Sequence, residues 1–326
     1  MFVPLFVAIT QFGTWTHAGD RMTSPVMELN STWKELVPSW RVRANGTSSA
    51  AFWITAIYPD HTTRRWCLGR WSPDKGTRMS IKDQKDADGL VDTDTLILNR
   101  PGAKIKIDVE TTGDAKLEAF YMVATDGSKP ELGAASAVPS GPLEPPQRMQ
   151  MNYPDGDKIC SPTSISMVLG YWAATLGHPE IDQDVPEVCA GVFDPNWPGT
   201  GNWPFNTSFA AAIPGIRSFV TRFRDVGDLQ MWVDRKVPVI CSVAYDFLKG
   251  KPERSGKDGH LVVLVGFDSA GDPIFNDPGT GAVRKTYRLV DFQRAWRESA
   301  QTVYMVFPRT WQVPTSVGAP WPQGDF

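Results

Sequence analysis

The sequence has no hydrophobic run approaching the roughly 20 residues of a bilayer-spanning helix, no basic cluster, and only four cysteines and four histidines among 326 residues. Each scarcity excludes something. Without basic runs, and with a net charge of -3 from interspersed charges of both signs, nothing in the chain points to nucleic acid. Cys67, Cys160, Cys189 and Cys241 are too few and too far apart for a disulfide framework. The histidines, His17, His61, His178 and His260, share no close spacing with one another or with a cysteine, so neither a zinc site nor any other metal or cofactor is implied. The opening stretch "MFVPLFVAITQFGTWTHAGD" lacks the positive start and small-residue cleavage site of a signal peptide and reads as a remnant of one or as a first strand. The compartment stays open, as does the oligomeric state.

What is present divides in two. Residues 139–147 lie in a Pro-, Gly- and Ser-rich stretch, "AVPSGPLEPPQR", without hydrophobic period, which reads as a linker. Before it, residues 1–138 contain short runs such as "SAAFWITAIY", "RRWCLGRW" and "AKIKIDVET", β-branched and aromatic with alternation, separated by turn clusters. This predicts an all-β sandwich, with Trp15, Trp33, Trp40, Trp53, Trp66 and Trp71 mostly in its core. After it, residues 148–326 mix elements. "SPTSISMVLGYWAATLG" predicts a helix with Pro162 in its first turn and Gly177 at its end. "GDLQMWVDRK" and "LVDFQRAW" read as further helices, and "VPVICSVAY", "GHLVVLVGFD", "DPIFNDP" and "TVYMVF" as strands, an α+β pattern.

Cys160 stands where that first helix begins, a position in which unfilled N–H groups and the helix dipole favour a thiolate. A nucleophilic thiol needs a base, and His260, at the mouth of the apolar strand "HLVVLVGF", is the best placed of the four histidines. The imidazole in turn needs an orienting group. Asp277 follows His260 by 17 residues, on the next strand. A two-residue turn at Asp268-Ser269 or Ala270-Gly271 leaves Asp277 on the face of His260, whereas a three-residue loop presents Asn276 instead. Asp277 is favoured, with Asn276 as the alternative. Cys67, Cys189 and Cys241 read as buried structural thiols and the remaining histidines as solvated.

The stretches "QMNYPDGDKICSPTSISMVLGYW", "TGNWPFNTSFA" and "GHLVVLVGFDSAGDPIFNDP" together resemble the C39-like cysteine peptidases, of papain-like fold, and in particular the bacterial two-domain members with a β-rich N-terminal part. The resemblance spans most of residues 147 to 308 and extends loosely to "ELVPSW", "LGRW" and "VDTDTL". It implies a papain-like peptidase domain, a peptide or protein substrate, a location outside the cytoplasm, Cys160 as nucleophile, His260 as general base and acid, and Asp277 as orienting carboxylate. It also implies a glutamine whose amide serves the oxyanion hole, which falls on Gln150. Exporter-linked C39 peptidases place that glutamine six residues before the cysteine and a glycine after it; here Gln150 is ten residues upstream, position 154 is Pro154, and Ser161 follows Cys160.

"FDPNWPGTGNWPFN" is too rich in Gly, Pro and Asn for a regular element, yet carries Trp197, Trp203 and Phe205, and is expected to wall the cleft beside Cys160 and contact substrate. Two other functions remain open at this level. One is a peptide- or glycan-binding protein with a vestigial peptidase domain, and the other a transpeptidase or transamidase in which an amine replaces water.

Overall fold

A computed structural model of the chain describes residues 2–29, 32–132, 137–256 and 259–323. The alternating strands of the first half pair into two antiparallel five-stranded sheets. One contains β1 (Leu5–Ile9), β4 (Glu35–Arg43), β7 (Gly89–Asp92), β8 (Thr95–Leu98) and β10 (Lys116–Thr125), in the order β1-β10-β4-β8-β7. The other contains β2 (Thr16–Ala18), β3 (Arg21–Thr23), β5 (Ser49–Ile57), β6 (Thr62–Trp71) and β9 (Lys104–Thr112), in the order β2-β3-β9-β5-β6. The opening apolar stretch thus supplies β1, paired along β10.

Aromatic side chains join the two layers. Trp40 of β4 stacks on Phe52 of β5 with ring centroids 4.0 Å apart, and Phe52 stacks in turn on Phe120 of β10. Trp15, Trp33, Trp40, Trp66 and Trp71 are buried, as expected for the sandwich core, with Trp15 and Trp33 in the segments just before β2 and β4. Trp53 is half-buried beneath the Arg65 guanidinium, 4.7 Å from its ring. Where β9 turns into β10, Gly113 takes φ +63°, and a Cβ there would stand 2.4 Å from Ser48 Oγ, so both the turn and its packing require glycine.

The second half folds around a six-stranded antiparallel sheet in the order β11-β16-β12-β13-β14-β15. Its strands are β11 (Ile216–Arg222), β12 (Val239–Ala244), β13 (Gly259–Phe267), β14 (Pro273–Asn276), β15 (Arg284–Thr286) and β16 (Thr302–Pro308). The helices are α1 (Cys160–Leu176), α2 (Val185–Val192), α3 (Trp203–Ala212), α4 (Val226–Asp234), α5 (Tyr245–Leu248) and α6 (Leu289–Arg297). Helix α1 is fully buried along most of its length and ends at Gly177, whose φ of +70° closes the last turn. Ser164 Oγ donates to the Leu261 carbonyl at 3.2 Å, tying α1 to β13.

Helix α3 corrects the sequence reading of "NWPFN" as irregular. Asn202 caps it by accepting from Phe205 N–H at 3.2 Å, and Pro204 lies in the first turn, where its missing N–H costs nothing. Glycine and proline density around a helix start had the appearance of a loop. Helix α3 also carries the packing between the two halves. Phe205 is fully buried against Trp40 and Trp71, and Ser208 Oγ donates to the Trp40 carbonyl. The stretch 139–147, expected as a linker, is pinned against the second half: Ser140 bridges to Phe267, and Leu143 N–H donates to the Val265 carbonyl at 2.7 Å.

Candidate active site

The site is assembled where the start of α1 meets the mouth of β13. Ile159, preceding the helix, offers no side-chain cap, and Pro162 has no N–H, so the first turn leaves the N–H groups of Cys160 and Ser161 without a helical acceptor. Burial pushes the Cys160 thiol up, but a hydrogen bond from His260, the His260 charge and the N–H groups of Leu261 and Ser161 outweigh it and hold the thiol below its ordinary range. None of the other three thiols has an imidazole partner, and burial dominates at each. Burial raises Cys67 to about 11 and Cys189 to about 12, and holds Cys241 well above its ordinary range. All four cysteines are free.

His260 is buried on β13, opposite Val243 of β12. Its Nε2 lies 2.7 Å from Asp277 Oδ1, so Nδ1 is the ring nitrogen left for the thiol. Burial would lower the imidazole pKa, but hydrogen bonds to Asp277 and Cys160 and their charges raise it to about 9. A depressed thiol beside an elevated imidazole is the condition for a thiolate–imidazolium pair near neutral pH.

Asp277 reaches His260 by a route that the sequence does not show. Neither two-residue turn forms; β13 and β14 are joined through residues 268–272, with Phe267 opposite Pro273 and Gly266 opposite Ile274. That register, continued, would set Asn276 opposite Leu264 and hence on the face of His260. The register instead shifts between Leu264 and Gly266, Val263 comes opposite Asn276, and Asp277 moves onto the His260 face. Asn276 points away: its Nδ2 donates to the Pro145 carbonyl at 3.1 Å and its Oδ1 accepts from Arg284 Nε at 2.6 Å.

Two tyrosines complete the surroundings. Tyr245, which follows β12, stacks on His260 at a centroid distance of 4.0 Å. Tyr287 donates its hydroxyl to Asp277 Oδ2, and Gly279 N–H donates to Oδ1 at 2.9 Å. Burial and the Asp277 charge raise both phenols, keeping them protonated donors. Burial would raise the Asp277 carboxyl, but these donors and His260 pull it below the usual carboxylate range. Gly279 leaves room here, since a Cβ would lie 3.0 Å from both His260 Cε1 and Tyr245 Oη and press on the two rings. Neither tyrosine was singled out from the sequence, because nothing local in "VAYDF" or "RKTYR" marks it. Only the register of β12 and the return from β14 bring them here.

Gln150 begins the short 3-10 turn Gln150–Asn152. Its backbone N–H donates to the Pro278 carbonyl at 2.9 Å, which fixes it beside the Asp277 turn. The segment "YPDGDK" folds back so that Gly156 packs on Gln150, and Gln150 Nε2 donates one hydrogen to the Gly156 carbonyl at 2.5 Å. Among the described residues the second amide hydrogen has no acceptor.

A cleft of about 750 Å³ opens beside Cys160. Trp197 and Trp203 line it, with the Trp197 indole laid over Gly199 and Gly201 and 45% exposed. Phe205 does not line it; it is fully buried between Trp40 and Trp71 and is core, not a substrate contact. The first half of the chain clamps this wall. Arg78, itself buried, donates to the Phe193 and Ala190 carbonyls, Ser80 N–H to Asp194, and Asn196 Nδ2 to the Ser80 carbonyl. Among the described residues no cluster of His, Cys, Asp and Glu could hold a metal ion, and no helix is long and apolar enough to cross a membrane.

Two family models match the chain in tandem: the Peptidase C39 like family over residues 143–304 and the Peptidase C39 N-terminal domain over residues 8–119. The chain belongs to the C39-like peptidase family. It combines the β-sandwich and the α+β, papain-like peptidase domain in that order. Among solved structures it is similar to a Bacillus anthracis protein assigned to the C39-like peptidases, at 17% identity over 46% of this chain and 88% of that one, with a TM-score of 0.36. A comparison with the curated proteins finds no match.

Proposed function

We propose that this C39-like family member is a cysteine peptidase working through a thioester, with residues 148–326 as its peptidase domain and residues 1–138 as a companion that helps to build the cleft. The observation that carries the reading is the chain of contacts from Cys160 to His260 to Asp277, in which Nε2 and Oδ1 stand 2.7 Å apart. In this mechanism the Cys160 thiolate attacks the carbonyl carbon of the scissile amide. The oxyanion that forms is held by the Cys160 N–H and by the uncommitted amide hydrogen of Gln150. His260, protonated at Nδ1, passes that proton to the departing amine as the C–N bond breaks, which leaves an acyl thioester on Cys160. Water then enters, His260 takes its proton, and attack on the thioester releases the carboxylate and regenerates the thiolate. Asp277 holds the ring in position throughout and stabilises its cationic form, as carboxylates do in comparable triads. Trp197 and Trp203 offer flat apolar surface to the peptide.

The test is hydrolysis of a peptide library by the whole chain and by Cys160→Ala. Cleavage by the wild type and none by the folded variant is the expected result; full cleavage by the variant would overturn the reading.

A further inference from the structure

Five aspartates are buried among the described residues, Asp94, Asp108, Asp194, Asp228 and Asp277. Four have a cation beside them: Asp108 has Arg21 and Arg65, Asp228 has Arg224, Asp277 has His260, and Asp194 acts on Arg78. Asp94 has none. Its Oδ2 accepts from Trp203 N–H at 2.7 Å and its Oδ1 from the Thr95 hydroxyl at 3.1 Å, while Asp92 nearby adds repulsion. A buried carboxylate held only by neutral donors leaves a charge to be compensated.

Asp94 lies at the tip of the β7–β8 hairpin of the sandwich, and this tip lines the cleft that contains Cys160. The charges of Asp94 and Cys160 both bear on the buried Tyr304 phenol, which hydrogen-bonds Ser161, so the two groups belong to one electrostatic neighbourhood. Among the described residues no cation of the cleft stands within ion-pairing distance of Asp94. Lys129 is bound by Glu298 and Arg222 by Glu35, while Lys158 makes no ion pair among the described residues.

We propose that Asp94 selects substrate, receiving in the cleft a cationic amine of the peptide, either a lysine side chain or a free N-terminal amino group. The assignment rests on the peptidase reading for what the cleft holds, and it makes the sandwich half part of the substrate site. Burial lifts the Asp94 carboxyl to about 7, the Trp203 N–H and Thr95 hydroxyl only partly opposing it, so an arriving ammonium would draw it into the ionised form.

The experiment uses paired peptide libraries in which lysine is replaced by norleucine, each with a free or an acetylated N-terminus. With the whole chain, kcat/KM should favour the cationic member of a pair by roughly tenfold or more, the range of a charge-assisted hydrogen bond. Asp94→Asn, which retains an acceptor for Trp203 N–H, should reduce that preference about tenfold. Loss of the preference with norleucine assigns the lysine side chain, and loss on acetylation assigns the N-terminal amine. An unchanged ratio in Asp94→Asn, an equal fall for both members of a pair, or no preference in the wild type would overturn the proposal. Calorimetric binding of the same peptides to Cys160→Ala, with and without Asp94→Asn, keeps the two readings distinguishable. If the wild type cleaves nothing, the peptidase reading fails, and the binding ratio still decides for or against Asp94.

Discussion

His260 and Asp277 share one face of the sheet because the register of β13 and β14 slips between Leu264 and Gly266. The slip replaces Asn276 by Asp277 behind the imidazole, a carboxylate in place of an amide, at 2.7 Å from Nε2. An anion there raises the imidazole more than a neutral amide can, since only the anion adds a charge–charge attraction to the hydrogen bond. Asp277→Asn should therefore lower kcat/KM by about 10²-fold, within the range of acid–base contributions, and shift the alkaline limb of the pH profile to lower pH. A variant with an unmoved alkaline limb would show that Asp277 does not tune His260.

The pH dependence of kcat/KM follows from the two coupled groups. In the proposed mechanism the active form is thiolate with imidazolium. It is lost on the acid side as pH falls through the depressed thiol pKa, and on the alkaline side as pH rises through the imidazole value of about 9. A bell with an alkaline limb near 9 is expected. These limbs belong to the pair as a whole rather than to either residue alone. A single acid limb, with activity undiminished at high pH, would contradict it.

Thiol reactivity should be unequal along the chain. Cys67 and Cys189, raised to about 11 and about 12, and Cys241, held well above its ordinary range by burial, are disfavoured as thiolates near neutral pH. Limiting iodoacetamide should alkylate Cys160 first, as read by peptide mass spectrometry. Equal labelling of Cys160 and Cys189 would remove the special environment claimed for Cys160.

Phe205 is assigned to the core. Phe205→Ala should cost about 3–5 kcal/mol of stability, the usual range for a buried phenylalanine, and appear as a lowered Tm. A substrate contact would instead raise KM and leave Tm in place.

Much of this architecture is legible in the chain itself. Pro162 and Gly177 bracket α1, alternation in "AKIKIDVET" marks β9, and Cys160, His260 and Asp277 stand out by residue type at element boundaries. Other features are invisible for physical reasons. The bulge at Val265 sits inside an apolar run, where one extra valine leaves the pattern unbroken. Phe205 shares a segment with Trp197, but the turn of α3 that follows the Asn202 cap points it into the interior. Tyr245, Tyr287 and Asp94 reach His260, Asp277 and the cleft only through long-range strand pairing and domain contact, which no local pattern encodes.

The central claim is that Cys160 and His260 form an ion pair, and the rate of Cys160 alkylation against pH tests it without a known substrate. The midpoint should fall below the ordinary thiol value of about 8.5, and in His260→Ala it should rise above that value, because burial then acts on the thiol without its partner. A wild-type midpoint at or above about 8.5, or one unmoved by His260→Ala, would contradict the account.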